Sequence, residues 1–564
     1  MPLSFRSYFS SLSSGLLLSI LLIFSGNVSA EKWRGQPGEF NITPPDMTYY
    51  ALQGDTLSSI ALRFTDKVSN ANLLGKRNKI ANDRTIPVGS AILIPLELMP
   101  EEASEAKVVA LAGNATLRKK EGADTAIAIG DILTEGSHIS TGKNGFLSLA
   151  LPDASRISIP SNSQVSLAKL RMTKYTKSPR TEINLQQGRV ESTVTPLSAN
   201  KGRFEVTSPL ATAGVRGTHF RVGINENGIA NEVLTGAVAV GNKKKPNDLL
   251  IPSGKGNIIS NTAIGKAVDL LPAPALSGNF QLQEKPTIQF VIAKMVGAHA
   301  YRAQIALDAK AQNIVMEGRV IGENIKLDGL DDGQYFVRIT AIDAIGLEGL
   351  PATQAFTLKA RPEPPFSAQP KAKLRAESVD FVWTEASDAK TYRLQVANDA
   401  AFQQLMIDQA DIPTVQYRAD KLANGSYFWR VATIAQKNGK MDQGPFSDPQ
   451  TFHLMPPQAM NPIKDTGDNI LSFNWPSEPG QKFLVQIATD AAFSAIYLAR
   501  ELDQPQISIP RPEAGAYFIR VKATDADGYV GAFSATQKVT IFTRWVSGNG
   551  EPINANGGAI RPSF

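Results

Sequence analysis

The sequence predicts a mostly β, multi-domain protein, and three observations lead to that prediction. The chain has 564 residues, which at about 100–200 residues per domain is enough for several domains. Its middle part alternates apolar and polar residues in short runs separated by turn residues, which is typical of half-buried strands. Its C-terminal half repeats one pattern, with matching tyrosines 92 and 90 residues apart at Tyr335, Tyr427 and Tyr517, a spacing that suits one β-sandwich per repeat.

Residues 1–30 have the composition of a signal peptide. Arg6 supplies a positive charge, an apolar run follows over Leu16–Phe24, and small residues precede Ala30. The run is shorter than the roughly 20 apolar residues that span a bilayer. We therefore expect cleavage between Ala30 and Glu31, export to the periplasm or cell envelope, and no transmembrane span in the mature chain. An uncleaved N-terminal anchor is the alternative.

The composition excludes several classes of protein. Hydrophobic residues make up 42% and charged residues 20% of the chain, which is ordinary for globular domains. The sequence contains no cysteine, so disulfides, thiol catalysis, Cys-ligated zinc and a lipid-modified cysteine are excluded. The formal net charge of +6 is small for this length, so it favours no nucleic-acid partner, although it is compatible with a mildly acidic polymer such as peptidoglycan.

A small module with the order βααβ is predicted over 47–98, after a proline-punctuated linker over 31–46. An apolar strand pattern leads to Gly54-Asp55-Thr56, and Leu57, Ile60, Ala61 and Phe64 then follow at helical spacing. Asp55 or Thr56 is well placed to cap that helix. A second short helix and the apolar strand Ala91–Pro95 complete the module.

This module resembles a LysM domain. The resemblance is carried by Tyr50, Gly54-Asp55-Thr56-Leu57, Ser59-Ile60-Ala61, Asn78, Gly89 and Ile92-Leu93-Ile94-Pro95. It implies binding of the N-acetylglucosamine-containing backbone of peptidoglycan, in a groove between two loops. The residues that it implies for the two walls are Gly54, Asp55, Thr56, Leu57, Asn78, Lys79 and Ile80, with Val88 as a further candidate. Ser59 is a departure, because many members carry a large aromatic residue there.

Residues 105–270 are predicted to form an all-β domain, and this domain resembles the FecR domain. Several blocks occur in the family's order, among them Ile139-Ser140-Thr141-Gly142, Leu185-Gln186-Gln187-Gly188-Arg189-Val190 and Ala213-Gly214-Val215-Arg216-Gly217-Thr218-His219-Phe220. The best-known FecR proteins regulate a sigma factor through a cytoplasmic segment and a membrane helix. A signal peptide and the LysM-like module stand in their place here, so the resemblance implies only a periplasmic β-domain that contacts other proteins.

Arg216 and His219 have two interpretations. They could form a partner-contact loop, or they could belong to a tight hairpin that needs Gly214 and Gly217 for its backbone. We favour the hairpin.

The repeats are predicted as three tandem sandwiches over 272–360, 361–455 and 456–543, followed by a flexible tail over 544–564. They resemble fibronectin type III modules. Trp383 and Trp475 occupy matching places, with Ile292 in the first copy, and are predicted as core residues rather than ligand-stacking ones. Proline-rich joints separate the units as stiff spacers.

No catalytic, metal-binding or cofactor motif is present in the sequence. The four histidines lie far apart without metal-ligand spacing, and there is no nucleophile elbow or phosphate loop. A hidden pair of carboxylates of the glycosidase type stays open. We therefore predict a non-enzymatic envelope scaffold that binds peptidoglycan and an unidentified envelope protein. The alternatives are a signal-transduction component that acts through a membrane regulator, and a cell-wall turnover enzyme.

The processing prediction is tested on the exported protein. Its N-terminal sequence and intact mass should begin at Glu31, because the small residues before Ala30 form a cleavage site. A membrane fraction that retains Met1 would contradict export as a free chain.

Overall fold

The structure is a computed structural model. It describes residues 35–81, 86–119, 122–196, 202–215, 217–242, 249–466, 468–543, 545–549, 553–555 and 558–559. The predicted cleavage site at Ala30 and Glu31, and Arg216, lie outside these residues. The chain divides into two compact units. Unit 1 holds residues up to 274 together with 295–317 and 338–352, and unit 2 holds 275–294, 318–337 and 353 onward.

The N-terminal module of unit 1 has two helices against a three-stranded sheet. Its strands are β1 (Phe40–Thr43), β2 (Asp46–Tyr50) and β3 (Ala91–Pro95), paired antiparallel in that order. Its helices are α1 (Leu57–Thr65) and α2 (Ala71–Asn78), with 3-10 turns at Val68–Asn70 and Leu96–Leu98. The predicted βααβ order is therefore confirmed. The predicted linker over 31–46 is corrected, because Phe40–Thr43 finds backbone partners along β2 and becomes a strand.

The second part of unit 1 is a sandwich of two large sheets. Its strands are β4 (Glu101–Ala103), β5 (Glu105–Ala112), β6 (Ala115–Arg118), β7 (Thr125–Ala126), β8 (Ile132–Thr134), β9 (His138–Thr141), β10 (Phe146–Ala150), β11 (Arg156–Ile159), β12 (Gln164–Thr173), β13 (Pro179–Gln187), β14 (Arg189–Thr193), β15 (Arg203–Thr207), β16 (Thr212–Val215), β17 (His219–Asn225), β18 (Gly228–Thr235), β19 (Ala237–Gly241), β20 (Leu249–Pro252), β21 (Lys255–Ile259) and β22 (Val268–Asp269). Alternation of apolar and polar residues builds these strands, since it gives each sheet one apolar face.

The two sheets share one apolar core. The nine-stranded sheet has the order β22-β21-β18-β17-β14-β11-β10-β5-β8, and the ten-stranded sheet has the order β20-β19-β16-β15-β13-β12-β9-β6-β7, with β4 beside β12. Neighbouring strands are antiparallel except β13 and β15, which run parallel. Phe204 and Phe220 pack edge to face at 6.2 Å between ring centroids inside this core. The all-β prediction for this region is confirmed.

The outer face of the nine-stranded sheet is buried as well. Register places Ser148, Ser158, Glu191, Arg221 and Glu232 side by side across five strands, on the face opposite the apolar core. Arg221 and Glu232 are both 0% exposed. The segments 295–317 and 338–352 of the first repeat cover this face within unit 1. Unit 1 therefore crosses the predicted border at residues 270–272.

A buried ionic cluster joins these segments to the sheet. Arg221 donates a hydrogen bond to Glu348 Oε1 at 2.7 Å. Arg338 donates one hydrogen bond from each terminal nitrogen to the Glu191 oxygens, at 2.7 and 3.0 Å. Glu348 is also paired with Arg189 and Arg302, and Arg302 is paired with Glu317. The buried ionic cluster consists of Arg189, Glu191, Arg221, Glu232, Arg302, Glu317, Arg338 and Glu348.

The strands of the three repeats follow at regular intervals. They are β23 (Leu276–Ser277), β24 (Leu282–Gln283), β25 (Ile288–Ile292), β26 (Ala300–Ala306), β27 (Ile314–Val320), β28 (Asn324–Leu327), β29 (Gly333–Ile342), β30 (Ala352–Leu358), β31 (Ser367–Gln369), β32 (Lys373–Arg375), β33 (Val379–Trp383), β34 (Ala389–Ala397), β35 (Leu405–Ile412), β36 (Gln416–Ala419), β37 (Gly425–Lys437), β38 (Lys440–Phe446), β39 (Gln450–Met455), β40 (Ile470–Asn474), β41 (Lys482–Ala488), β42 (Ile496–Leu502), β43 (Gln506–Pro510), β44 (Gly515–Thr524) and β45 (Gln537–Ile541).

The second and third repeats each place two sheets face to face. The second repeat has the sheets β31-β33-β36 and β32-β39-β37-β34-β35, with β38 beside β37. The third has β40-β43 and β42-β41-β44-β45. Tyr335, Tyr427 and Tyr517 each donate their hydroxyl to a carbonyl four residues earlier, at 2.7 to 3.1 Å, which is the tyrosine corner of immunoglobulin-like sandwiches. The predicted fold class of tandem β-sandwiches is confirmed.

The C-terminal tail, predicted as flexible over 544–564, is described only in part. Within its described residues two short strands, β46 (Asn554–Ala555) and β47 (Gly558–Ala559), pair antiparallel.

The repeat cores give a test of the sandwich packing. Trp383 is 2% exposed and packs edge to face with Tyr392 at 5.5 Å, so Trp383→Ala should destabilise the second repeat by about 3–5 kcal/mol. The measurement is thermal and denaturant unfolding of the full chain.

Trp545→Ala is the matched control, because Trp545 is 61% exposed and its truncation should leave the transition in place. Equal effects of the two substitutions would contradict the core assignment.

Candidate functional site

The first wall of the candidate glycan groove is the turn that starts α1. Thr56 accepts from the backbone N–H of Ser59 at 3.1 Å, and Ser59 Oγ accepts from the backbone N–H of Thr56 at 2.9 Å. This reciprocal capping box satisfies two N–H groups that the helix leaves free. The small residue at position 59, a departure from many LysM domains, therefore has a local function here.

Asp55 shapes the loop before that helix. Its side chain is 4% exposed and accepts from the Tyr49 hydroxyl at 2.6 Å, from the Leu52 N–H at 2.8 Å and from Arg63 at 2.8 Å. Burial disfavours the Asp55 carboxylate, but the hydrogen bonds from Tyr49, Leu52 and Arg63 outweigh this and hold its pKa below the ordinary value. Asp55 is thus a loop-shaping residue, and its oxygens are already engaged.

The second wall follows α2 and is tied to the last strand. Asn78 accepts from the Leu93 N–H at 2.6 Å and donates to the Leu93 carbonyl at 2.8 Å and to the Leu74 carbonyl at 2.9 Å. Lys79 then ends the helix in the left-handed conformation at φ 55°. Asn78 therefore fixes the wall, while the Lys79 side chain stays exposed.

The two walls meet through the apolar core of the module. Leu57 is 6% exposed, and Ile80 packs against the same core. Gly75 of α2 allows this approach, because a Cβ there would lie 3.1 Å from Leu57 Cδ1 and 3.3 Å from the Ile80 carbonyl oxygen. The end of α2 is thereby held next to the start of α1.

The structure assigns the seven predicted residues to different tasks. Asp55, Leu57 and Asn78 have structural contacts that leave little of their side chains for a ligand, and Thr56 caps α1. Gly54 and Lys79 are exposed and Ile80 is half-buried. Residues 82–85, between the second wall and β3, lie outside the described part of the chain.

The sequence reasoning missed Leu52 beside the first wall. Leu52 is 42% exposed, and Val88 beside the second wall is 46% exposed. The signal for Leu52 was present in the sequence, because Leu52 is an apolar residue two positions before the Gly54-Asp55 turn. An exposed apolar side chain in this position suits the methyl of an N-acetyl group.

Tyr175 fixes the N-terminal module to the large sandwich. Tyr175, in the turn between β12 and β13, donates its hydroxyl to the Arg63 carbonyl at 2.8 Å. Its ring packs at 5.2 Å from Phe64 and 5.9 Å from Phe40. Sequence reasoning had no signal for this contact, because the two sides lie 112 residues apart.

The predicted tight hairpin near His219 is wrong, because β16 lies in the ten-stranded sheet and β17 in the nine-stranded sheet, so the chain crosses between the sheets there. Gly217 still needs its freedom, since it has φ 75° and a Cβ there would lie 2.5 Å from Pro196 Cα. His219 Nε2 lies 2.6 Å from Glu191 Oε1, at the margin of the buried ionic cluster. Trp383 and Trp475 are 2% and 3% exposed, so both are core residues.

No group of three or more His, Asp or Glu side chains in the described ranges is arranged to hold a metal ion. No helix among the same residues is long and apolar enough to cross a membrane.

Family models match two regions of the chain. The LysM domain matches residues 51–95, and the FecR protein family matches residues 137–239. The chain therefore contains a LysM domain and a FecR domain, followed by β-sandwiches. LysM domains indicate glycan binding, FecR domains indicate contact with envelope regulators, and both are typical of envelope-associated proteins.

Solved structures give weaker comparisons. Two crystal structures of a candidate anti-sigma factor from Parabacteroides distasonis are 20% and 19% identical, with TM-scores of 0.19, and cover 23% of this chain and 57% of theirs. The chicken CNTN1 domains FN1 to FN3 are 13% identical, with a TM-score of 0.20, and cover 48% of this chain and 98% of theirs. This chain thus spans little more than half of the anti-sigma factor. No curated protein matches the chain significantly.

The structural role of Asp55 leads to a prediction. Asp55→Ala leaves Tyr49, the Leu52 N–H and Arg63 without their shared acceptor, so it should destabilise the LysM domain by about 1–3 kcal/mol. Because the folded-state pKa is depressed, the stabilisation is present above about pH 4 and lost as pH falls further. The measurement is hydrogen exchange of the 46–65 amides in the full chain, with the exposed Glu39→Ala as control. A pH profile shared by both variants would contradict this role.

Proposed function

We propose that this protein is a non-enzymatic scaffold of the cell envelope that binds peptidoglycan through its LysM domain and contacts protein partners through its other domains. The observation that carries the proposal is the pair of loops in the LysM domain, with Leu52, Gly54, Lys79 and Val88 exposed around backbone groups. Such a surface can bind the amide of an N-acetyl group with backbone atoms and cover its methyl with apolar side chains. The signal peptide predicted over residues 1–30 would place the domain where peptidoglycan is found.

One small groove supports only weak binding. A dissociation constant of about 1 mM corresponds to about −4 kcal/mol. Stable retention therefore needs either the many identical sites of the polymer or a second attachment through a partner. This requirement is the reason that we assign partner contact to the remaining domains.

A second candidate function is envelope signalling. The FecR match over residues 137–239 favours it, since this kind of domain relays signals through protein contacts. In this hypothesis the chain acts on a membrane regulator. Crosslinking in intact cells, with purification of the full chain, should then capture one membrane protein in stoichiometric amounts.

We also propose that the chain has no catalytic activity, because both matched domains are of non-catalytic types. Zymography on purified peptidoglycan tests this. A cleared band at the mass of the chain would show a cell-wall turnover enzyme instead.

Sedimentation with insoluble peptidoglycan tests the glycan site. Leu52→Glu combined with Lys79→Glu should raise the dissociation constant of the full chain for peptidoglycan about tenfold, equivalent to about 1.4 kcal/mol, because both changes put carboxylates on the groove. Neither side chain carries the capping box or the Asp55 contacts, so the domain should stay folded.

Leu62→Glu is the matched control, since Leu62 is 54% exposed on α1 outside the two loops. A double variant that sediments as the wild type does would place the attachment elsewhere in the chain.

A further inference from the structure

The three repeats share an arginine and a glutamine on neighbouring strands. In the second repeat Arg430 donates to Gln395 Oε1 at 2.7 and 2.9 Å, and in the third repeat Arg520 donates to Gln486 Oε1 at the same two distances. Arg338 and Gln304 are the equivalents in the first repeat, where the distance from the arginine nitrogen to Gln304 Oε1 is longer, at 3.5 Å. The same sequence motif therefore has a different partner in the first repeat.

Two phenylalanines enclose the arginine in the later repeats. The Arg430 guanidinium carbon lies 4.0 Å from the Phe402 ring centroid and 4.3 Å from that of Phe446. Arg520 lies 3.8 and 4.1 Å from Phe493 and Phe533. Each later repeat thus closes its own arginine in a cation–π stack.

The first repeat lacks both phenylalanines. Asp308, Asp399 and Asp490 align the repeats, since each accepts backbone N–H groups of the turn that follows it, and the third residue after them is Ala311, Phe402 or Phe493. Gly349 and Gly531 align the later part, since each donates its N–H to the matching alanine carbonyl. Two residues further, the third repeat has Phe533 and the first has Pro351. Small residues therefore open the space around Arg338.

Glu191 of the FecR domain fills the space beside Arg338. Arg338 donates to the two Glu191 oxygens at 2.7 and 3.0 Å. Glu348 differs in the same direction, because it stands where the second and third repeats have Gln443 and Val530. Arg302 and Glu317 have counterparts in the second repeat, Arg393 and Asp408, which pair with each other at 2.6 Å. In the first repeat this pair is extended to the FecR sheet through Glu348, which contacts Arg302 and Arg221.

Apolar contacts on this face show the same difference. Ile314 is 6% exposed and packs in one cluster with Phe146 of β10. Its equivalents Leu405 and Ile496 are 39% and 43% exposed. The first repeat therefore buries a face that the second and third repeats leave exposed.

We propose that the first repeat is a dedicated docking partner of the FecR domain, which closes the outer face of the nine-stranded sheet to every other protein. The docked segments are 295–317 and 338–352. Partners of the FecR domain then bind its remaining surfaces. This inference is independent of glycan binding, because none of its residues belongs to the LysM domain.

Hydrogen exchange of the full chain tests the docking. Arg338→Met keeps an apolar stem but leaves Glu191 buried without its main partner, so amides of β14 and β17 in the FecR domain should exchange at least about tenfold faster. Arg430→Met is the matched variant. It removes the equivalent arginine, whose contacts lie within the second repeat, so faster exchange should stay within residues 389–446.

The outcomes separate docking from simple destabilisation. The proposal is overturned if Arg338→Met speeds amide exchange in the first repeat alone, by the same factor as Arg430→Met speeds exchange in the second repeat. If the Arg338→Met chain does not fold, Glu191→Gln is measured instead. This change keeps the shape of the Glu191 side chain and removes the negative charge on the FecR side of the contact. Exchange in residues 300–306 must then rise, and unchanged exchange there overturns the proposal equally.

Discussion

The buried ionic cluster is the constraint on which the arrangement of unit 1 depends. Burying charges is costly unless each finds partners of good geometry. The cluster balances four arginines against four glutamates, and Glu348 alone contacts Arg189, Arg221, Arg302 and Thr340. Glu232 is held by charge alone on one oxygen, since its Oε2 lies 3.3 Å from Arg221 Nε without a hydrogen bond. Burial opposes ionisation of Glu191, but Arg338 and His219 outweigh it and hold its pKa well below the ordinary value. Any shift in register would leave a buried charge unpaired, so the cluster specifies one docked geometry.

This constraint changes how a chain of repeated domains is understood. The sequence suggests separate modules on proline-bearing joints, yet unit 1 combines the LysM domain, the FecR domain and two segments of the first repeat. Tyr175 fixes the LysM end, and the cluster fixes the other. In unit 2 the joints are held by similar means, since Lys359 contacts Asp332 and Asp442 at 3.1 and 2.9 Å. Side-chain contacts therefore cross the joint between the first and second repeats in addition to its prolines.

Much of the fold was predictable because local patterns encode it. Helical spacing from Leu57 to Phe64, alternation in the FecR region and the repeated tyrosines each report on local structure and burial. The docking was not predictable in the same way, since Arg338 lies in the same Tyr-Phe-x-Arg pattern as Arg430 and Arg520. The first repeat differs at Ala311 and Pro351, which replace phenylalanines, and at Glu348, but the meaning of these differences needs the three-dimensional contacts. The LysM domain that holds the candidate site was predictable, but the task of each side chain was not, because Asp55 and Asn78 fit a ligand-binding and a loop-shaping role equally well in sequence.

The glycan site and the docked sheet follow the same physical rule. In both, polar side chains that look available in the sequence are used to hold backbone in place, as Asp55 holds the loop after Leu52 and Arg221 holds the carbonyls of Glu348 and Gly349 at 2.7 Å. What is left for binding is backbone and apolar surface, which gives weak affinity at any single site. The scaffold that we propose would therefore attach through several weak contacts at once. Side-chain contacts between the domains of unit 1, such as those of Tyr175 and Arg338, would then matter for function, because defined distances between sites raise the effective concentration of the second contact once the first has formed.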